Sequence, residues 1–262
     1  MTTRWRRATA ADAELLAALA AVDVTVVRAF LRSWRVDISA AGDAAVAVLP
    51  PADGHRRGYG AWFVRGSTDE AAAQLVRLAR STPGVEVLQI GLPADETVRD
   101  ERFQRAYPVW TMAHDGLSWP EHEPVPAARL RYCGPADVPL DEFQRAYEQA
   151  YRDQRLVEPH TSWDRPPDHG ALAVTPVNQV AGFVLGFHQP DGSIELGPIG
   201  TVPSWRGRGV CTALLATVLY RSRGLHLRLT VDGESPTRAQ DLYLRHGFRI
   251  TERLIRYEVQ LR

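Results

Sequence analysis

Apolar residues in the last third of the chain recur at two different spacings. Between Val210 and Arg221 the spacing is helical and predicts a buried helix, whose inward positions are Val210, Ala213, Leu214, Ala216, Thr217 and Val218. The run Leu225–Val231 alternates as a half-buried strand does. Ser235 and Pro236 then supply an N-cap and a first-turn proline. The pattern therefore predicts a second helix that begins there and ends near Gly247, followed by a strand over Phe248–Leu261.

The same order of elements occurs earlier in the chain. At a shift of 140 residues, Gly84 aligns with Gly224, Phe103 with Tyr243, and a predicted helix at Glu70–Arg80 with Val210–Tyr220. At a shift of 125, the front of one half matches the other, with Arg4, Arg6, Ala11 and Asp12 facing Arg129, Arg131, Ala136 and Asp137. A repeat this long indicates two copies of one domain.

The repeated unit predicts an α/β fold with a mixed sheet in each copy. We place the domains at residues 1–118 and 127–262. The Pro-rich stretch Leu117–Pro126 is typical of a linker between them.

Composition narrows the class of protein. Hydrophobic residues make up 45% and charged residues 24%, which is typical of a globular domain in water. No apolar run is long enough to cross a bilayer and no signal peptide is apparent, so we expect a cytoplasmic protein with no membrane partner. The formal charge is zero, which does not favour a nucleic-acid partner. Oligomeric state, monomer or homodimer, is open.

Neither the cysteines nor the acidic residues are spaced as the ligands of a metal site. The two cysteines, Cys133 and Cys211, cannot form a zinc site or a disulfide framework. The stretch Glu121-His122-Glu123 lies among prolines, as linkers do. We therefore expect no metal cofactor.

One glycine-rich loop leads directly from a strand into a helix. The segment Ile194–Leu215 contains Arg206-Gly-Arg-Gly209 just before the predicted helix. Glycines let a ligand approach the backbone closely, and the first amides of a helix form an anion site. With the added charge of Arg206 and Arg208, a pyrophosphate is the ligand that fits, although a tight structural turn would give the same pattern.

Two motifs resemble those of the GNAT N-acetyltransferase superfamily. Arg206-Gly-Arg-Gly-Val-Cys211 resembles its Arg/Gln-x-x-Gly-x-Gly/Ala motif, and Tyr243-Leu-Arg-His-Gly-Phe248 resembles its late Tyr-x-x-x-Gly-Phe signature. The likeness covers about Arg129–Arg262. With the fainter first half, the chain resembles tandem GNAT proteins of the mycothiol synthase type, without implying that substrate.

The resemblance implies an acetyl-CoA site. Ile199 and Thr201 would offer backbone groups to the acetyl-pantetheine arm, and the pyrophosphate would lie on Arg206, Gly207, Arg208, Gly209, Val210, Cys211 and Thr212. Two residues depart from the family. Cys211 replaces a Gly or Ala, and Pro236 replaces an Asn that many members place near the cofactor.

The first half has no equivalent loop in register. Its counterpart of Arg206–Cys211 is 66–71, where Asp69 and Glu70 would repel a pyrophosphate. The glycines at Gly58 and Gly60 fit the motif loosely but stand too far from the next strand. We expect a degenerate copy with a structural role.

The resemblance also implies catalytic roles. Glu195 would act as the base, from a strand position where several GNAT enzymes present a glutamate, and Tyr243 would protonate the departing thiolate. A solvent-facing strand glutamate and a core tyrosine are the alternatives. Asp232 is a weaker base candidate that also suits a turn, His226 is typical of a surface position, and Cys211 as a nucleophile would need a ping-pong route.

The acceptor would lie under the segment Arg155–Gly170, where His160, Trp163, Asp164 and Asp168 could contact it, unless this Pro-rich stretch is an inert loop. These features predict acetyl transfer to the amine of a small metabolite or antibiotic-type molecule. A non-catalytic acyl-CoA-binding module and an aminoacyl-tRNA-dependent acyltransferase are the alternatives.

Overall fold

The chain forms two compact units. The computed structural model describes residues 3–51, 56–65, 68–126, 129–152, 167, 169–189 and 191–261. Unit 1 comprises residues 1–108 and 254–262, and unit 2 comprises residues 109–253. The stretch Leu117–Pro126 thus lies within unit 2. The assignment of a structural first domain and a CoA-binding second domain stays a prediction.

Unit 1 is a sheet with three helices. Its strands are β1 (Trp5–Arg7), β2 (Arg35–Ser39), β3 (Ala44–Leu49), β4 (Arg57–Val64), β5 (Val87–Pro93) and the start of β6 (Gln104–His114), and its helices are α1 (Ala13–Ala20), α2 (Val24–Ser33) and α3 (Thr68–Arg80). Strands β1 to β5 neighbour one another in chain order. Residues 254–260 of the last strand pair antiparallel with β5.

Unit 2 repeats much of this plan, but it also has a helix before its last strand, where residues 94–103 of unit 1 form none, contrary to the predicted repeat. Its strands are the rest of β6, β7 (Arg131–Cys133), β8 (His169–Val174), β9 (Val180–His188), β10 (Ile194–Thr201), β11 (Leu227–Asp232) and the start of β12 (Phe248–Gln260), and its helices are α4 (Leu140–Tyr151), α5 (Val210–Arg221) and α6 (Ala239–Arg245). The order is β6-β11-β10-β9-β8-β7. The mixed sheets and helices confirm the predicted fold class.

The predicted repeat appears in one connection of each half. Helix α3 joins the parallel strands β4 and β5, and helix α5 joins the parallel strands β10 and β11. These are the positions that the 140-residue shift aligns. A parallel pair requires a crossover of this kind, so both halves use the same βαβ unit.

Helices cover both faces of the unit 2 sheet. On one face Val210, Leu214 and Val218 of α5 pack with strand residues such as Leu196. On the other face Phe143 and Ala146 of α4 pack with strand residues such as Phe183. Successive side chains of a strand point to opposite faces, so the residues between the buried ones on β10 face α4.

One predicted boundary is wrong. The last helix begins at Ala239 and not at Ser235. Ser235, Pro236 and Thr237 instead form a turn, in which the Arg238 amide donates to the Ser235 carbonyl at 2.9 Å. Arg238 has a φ of +51°, a left-handed conformation that helices do not continue through. The serine–proline pair therefore starts a turn, and the helix follows it.

Candidate functional site

Strands β10 and β11 separate at their carboxyl ends. They pair in parallel over Ile194–Leu196 and Leu227–Leu229. Beyond Leu196 the register of β10 against β9 shifts, while β11 keeps pairing with β6 as far as Asp232. The end of β10 is therefore an edge on the side of β11. Ligands of α/β proteins bind at such openings beyond the carboxyl ends of parallel strands.

The hydroxyl of Tyr151 lies in this opening. It donates to the Ile199 carbonyl oxygen at 2.9 Å and accepts from the Ile199 amide at 3.2 Å. The ring stacks on Tyr147 of the same helix, with 4.6 Å between centroids. Of the two residues predicted to offer backbone groups to a cofactor, Ile199 has both groups bonded to Tyr151, and the Thr201 carbonyl accepts from Arg206 Nε at 3.2 Å. Burial raises the pKa of this hydroxyl, so it stays protonated.

The loop between β10 and α5 presents its amides without a cap. Helix α5 has Gly209 as its N-cap, with a φ of +76° and no side-chain hydrogen bond. Within the described chain, the amides of residues 207–212 make no hydrogen bond to another backbone group. A Cβ placed on Gly207 or Gly209 would meet nothing within 4 Å. Uncapped amides beside open space are what a phosphate group needs.

The two arginines of the loop have different surroundings. The Arg206 guanidinium donates to the Ala150 carbonyl at 2.8 Å and to the Thr201 carbonyl at 3.2 Å, and its amide donates to Pro203 at 3.2 Å. Arg206 therefore ties the end of α4 to the end of β10 and offers no uncapped amide. Arg208 is exposed and lies over the Trp205 ring at 5.1 Å, so its charge faces solvent beside the uncapped amides.

Tyr243 and Cys211 lie at the buried end of the opening. Burial raises the pKa of Tyr243 well above its usual range, and the nearby Cys211 and Tyr151 add to the effect. The Tyr243 hydroxyl makes no hydrogen bond in the described part of the chain. Burial raises the pKa of the Cys211 thiol to about 12, and the neighbouring Thr201 hydroxyl opposes this only in part. Both groups are protonated at neutral pH.

Glu195 faces away from α5, as the alternation of β10 predicts. Its carboxylate accepts from Arg228 Nε at 2.8 Å and lies 3.5 Å from the Thr230 hydroxyl. The side chain is 34% exposed. Arg228 also pairs with Asp191 at 3.1 Å. Glu195 is therefore held in a half-exposed polar row on the α4 side of the sheet.

The other residues that the sequence suggested for the site have structural roles, are exposed or lie outside the described residues. Asp232 accepts from the Glu234 amide at 2.8 Å and closes a turn, and His226 is exposed. The acceptor candidates His160, Trp163, Asp164 and Asp168 lie outside the described residues. Gly58 and Gly60 lie within strand β4, and a Cβ on Gly60 would come within 2.9 Å of Ile90 and Leu88. These two glycines serve strand packing and form no phosphate loop.

Sequence reasoning missed Tyr151 and the tether made by Arg206. The aromatic residues Phe143, Tyr147 and Tyr151 recur every four positions, which predicts a buried helix face. That signal was available, but it indicates packing and does not reveal which hydroxyl reaches a strand backbone.

The described residues form neither a cluster of metal-binding side chains nor a membrane-spanning helix. Among the described residues, no group of three or more His, Cys, Asp or Glu side chains is arranged to hold a metal ion. No helix in that part of the chain has the length and apolarity to cross a membrane.

Comparisons with known proteins agree on one fold. Residues 138–248 match the family model described as "Acetyltransferase (GNAT) family". A GCN5-related N-acetyltransferase from Sphaerobacter thermophilus is 24% identical, with a TM-score of 0.76 over 100% of this chain and 96% of that one. A tandem GNAT protein from the clavulanic acid biosynthesis pathway is 15% identical, with a TM-score of 0.68 over 99% of both chains. No curated protein matches the chain.

Proposed function

We propose that this chain transfers an acetyl group from acetyl-CoA to an amine of a small metabolite or antibiotic-type molecule. The premise is that residues 138–248 belong to the GNAT acetyltransferase family and that the chain is an acyltransferase. The observation that carries the proposal is the row of uncapped amides at the start of α5, beside the open space at Gly207 and Gly209.

The pyrophosphate of the CoA would lie on these amides. The backbone of residues 207–212 supplies the donors, and the exposed Arg208 supplies a positive charge. Helix-terminus charge effects are each worth about 0.3–1 kcal/mol when exposed, so several donors must act together. Arg206 would contribute by holding Ala150 and Thr201 in place, because its Nε and one terminal nitrogen already donate to their carbonyls.

The pantetheine arm would take the place of the Tyr151 hydroxyl. Ile199 presents one donor and one acceptor to the opening, and a secondary amide can satisfy both. Tyr151 would then release Ile199, and its hydroxyl would need a new partner. The Tyr151 hydroxyl satisfies the two Ile199 backbone groups, each of which would cost about 1–3 kcal/mol if it were buried without a partner.

The acceptor amine must be neutral before it can attack the acetyl thioester. An alkyl ammonium with a pKa near 10.4 is less than about 0.1% neutral at pH 7, a handicap of roughly 4–5 kcal/mol. We assign the proton acceptor to Glu195, whose carboxylate is half-exposed on the α4 side of the sheet. Arg228 holds this carboxylate by a hydrogen bond. The incoming ammonium group would therefore share the carboxylate oxygens with Arg228 before Glu195 takes its proton.

Tyr243 would supply the proton to the departing thiolate. Its burial keeps the hydroxyl protonated, as an acid must be before the transfer. With Cys211 also protonated, direct transfer from the thioester to the amine is favoured over a route through a cysteine thioester.

A non-catalytic acyl-CoA-binding module is a second candidate, favoured by the engagement of Glu195 with Arg228. The two functions are separated by experiment. Calorimetry with acetyl-CoA tests binding, and release of free CoA thiol against a broad amine panel, with mass spectrometry of the product, tests transfer. Binding below millimolar concentration with transfer to at least one amine supports the proposal. Binding without any transfer supports the module.

A further inference from the structure

A groove in unit 1 has a strongly positive lining. It has a volume of about 420 Å³ and lies between the end of β1, helix α2 and the start of β2. Small-molecule sites have volumes of about 300–1,000 Å³. Three arginines line it, Arg7, Arg28 and Arg32, and no acidic side chain does so among the described residues. The groove is therefore large enough for a small anion and is charged to attract one.

The arginines of the groove are poorly neutralised by the protein. Arg28 and Arg32 lie one turn apart on α2, and neither forms an ion pair within the described ranges. The nearest carboxylate to Arg7 is that of Asp37, at 4.0 Å, and it also accepts a hydrogen bond of 2.7 Å from Gln74. Asp37 beside Arg7 and Asp23 near Arg28 offset the three positive charges only in part. Because like charges repel one another, a bound anion would relieve the remaining repulsion.

Apart from Thr9, the other side chains that line the groove are apolar. Trp34 stacks on Phe30, with 4.2 Å between centroids and 16° between planes. Leu31 is half-buried, and Val36 is 3% exposed. This surface can take a planar or aliphatic group next to the charged end of a ligand. The same combination of apolar walls with a few placed charges is typical of small-molecule sites.

We propose that unit 1 binds a small organic phosphate, whose phosphate group lies among Arg7, Arg28 and Arg32 and whose apolar body lies against Trp34. A dianion matches three guanidinium groups better than a carboxylate does. The planar fork of arginine also binds phosphate oxygens in pairs. The site is separate from the α5 loop in unit 2 and does not depend on the function proposed for it.

The test is calorimetric titration of the full chain with phenyl phosphate. We expect saturable binding with one site in the groove, weakened at least tenfold in the double variant Arg28→Gln/Arg32→Gln. The matched control is Arg80→Gln/Arg105→Gln, which removes two exposed arginines of unit 1 outside the groove and should leave the affinity unchanged. Thermal melting of both double variants checks that the fold is intact.

Three comparisons complete the experiment. Benzoate keeps the ring with a single negative charge, and inorganic phosphate keeps the charge without the ring, so both should bind at least threefold more weakly than phenyl phosphate. Equal affinity of inorganic phosphate would overturn the role of Trp34. Absence of binding at millimolar phenyl phosphate would overturn the site. Binding that disappears in Gly209→Trp but persists in Arg28→Gln/Arg32→Gln would assign the phosphate to the α5 loop and overturn it as well.

Discussion

Tyr151 binds both the amide and the carbonyl of Ile199 through one hydroxyl, at 3.2 Å and 2.9 Å. The pairing fills the edge of β10 where this strand leaves β11. Tyr151 is also the last residue of α4. A ligand that bonds to the Ile199 backbone must therefore displace the Tyr151 hydroxyl.

The variant Tyr151→Phe tests this competition. It removes the hydroxyl but keeps the ring, so Ile199 is left unpaired before the cofactor arrives. We expect acetyl-CoA to bind about three- to tenfold more tightly by calorimetry, because one net hydrogen bond of about 1 kcal/mol no longer has to be broken. The free protein should melt at a lower temperature for the same reason.

Tyr147→Phe is the matched control, since it removes a hydroxyl from the stacked neighbour of Tyr151. Its affinity for acetyl-CoA should equal that of the wild type. Weaker binding in Tyr151→Phe would show that the hydroxyl assists the cofactor and does not compete with it.

The assigned acid and base predict separate kinetic effects. Glu195→Gln should lower kcat by about 10²-fold or more, as loss of a general base does, and Tyr243→Phe should lower it less. The KM for acetyl-CoA should stay within about twofold in both, since neither side chain belongs to the amide row. Steady-state thiol release measures both parameters. Unchanged kcat in the double variant would exclude both roles.

Cys211 should be chemically inert. Burial raises the pKa of its thiol to about 12, so only about 0.01% is thiolate at pH 8. Labelling by a thiol reagent should be slow on the native protein and fast after unfolding, as followed by mass spectrometry. Cys211→Ala should keep most of its activity. A rapid burst of acetylated Cys211 with acetyl-CoA alone would contradict direct transfer.

A buried histidine, His114, and a half-buried one, His246, predict a pH effect on the stability of unit 2. Burial lowers the pKa of both His114 and His246. Their unfolded pKa is about 6.5, so the unfolded chain takes up protons first as the pH falls. This stabilisation is complete above pH 6.5 and is lost as the pH falls from there towards the folded values.

The melting temperature should therefore drop between pH 7 and pH 5, and the drop should be smaller in His114→Phe. His226→Gln, which changes an exposed histidine, should show the drop of the wild type. A wild-type melting temperature that is flat over this range would contradict the argument.

The sequence predicted the parts of the fold that depend on local pattern. Helix α5 and strand β12 agree with their predicted ranges, and the duplication is visible as the two βαβ units around α3 and α5. Apolar spacing and glycine positions carry this information because they act over a few residues. The start of α6 was wrong for a related reason, since serine and proline favour both helix starts and turns.

The contacts made in the opening between β10 and β11 could not be predicted from local sequence pattern. The contact between Tyr151 and Ile199 joins residues 48 positions apart, and the tether from Arg206 to Ala150 joins residues 56 apart. Both arise from the packing of α4 against the end of β10. A motif shows which residues stand in a loop, but it does not show that two nitrogens of the Arg206 side chain already donate to the protein.

The most direct measurement of the central claim is calorimetric titration of acetyl-CoA into Gly209→Trp and Gly224→Trp. Both glycines have a left-handed φ, of +76° and +85°, with open space beside them, so the backbone strain of the two variants is matched. In Gly209→Trp the affinity for acetyl-CoA should fall at least 100-fold, because the indole fills the space over the uncapped amides. Gly224→Trp should bind acetyl-CoA as the wild type does. Equal affinity in the two variants would contradict that claim.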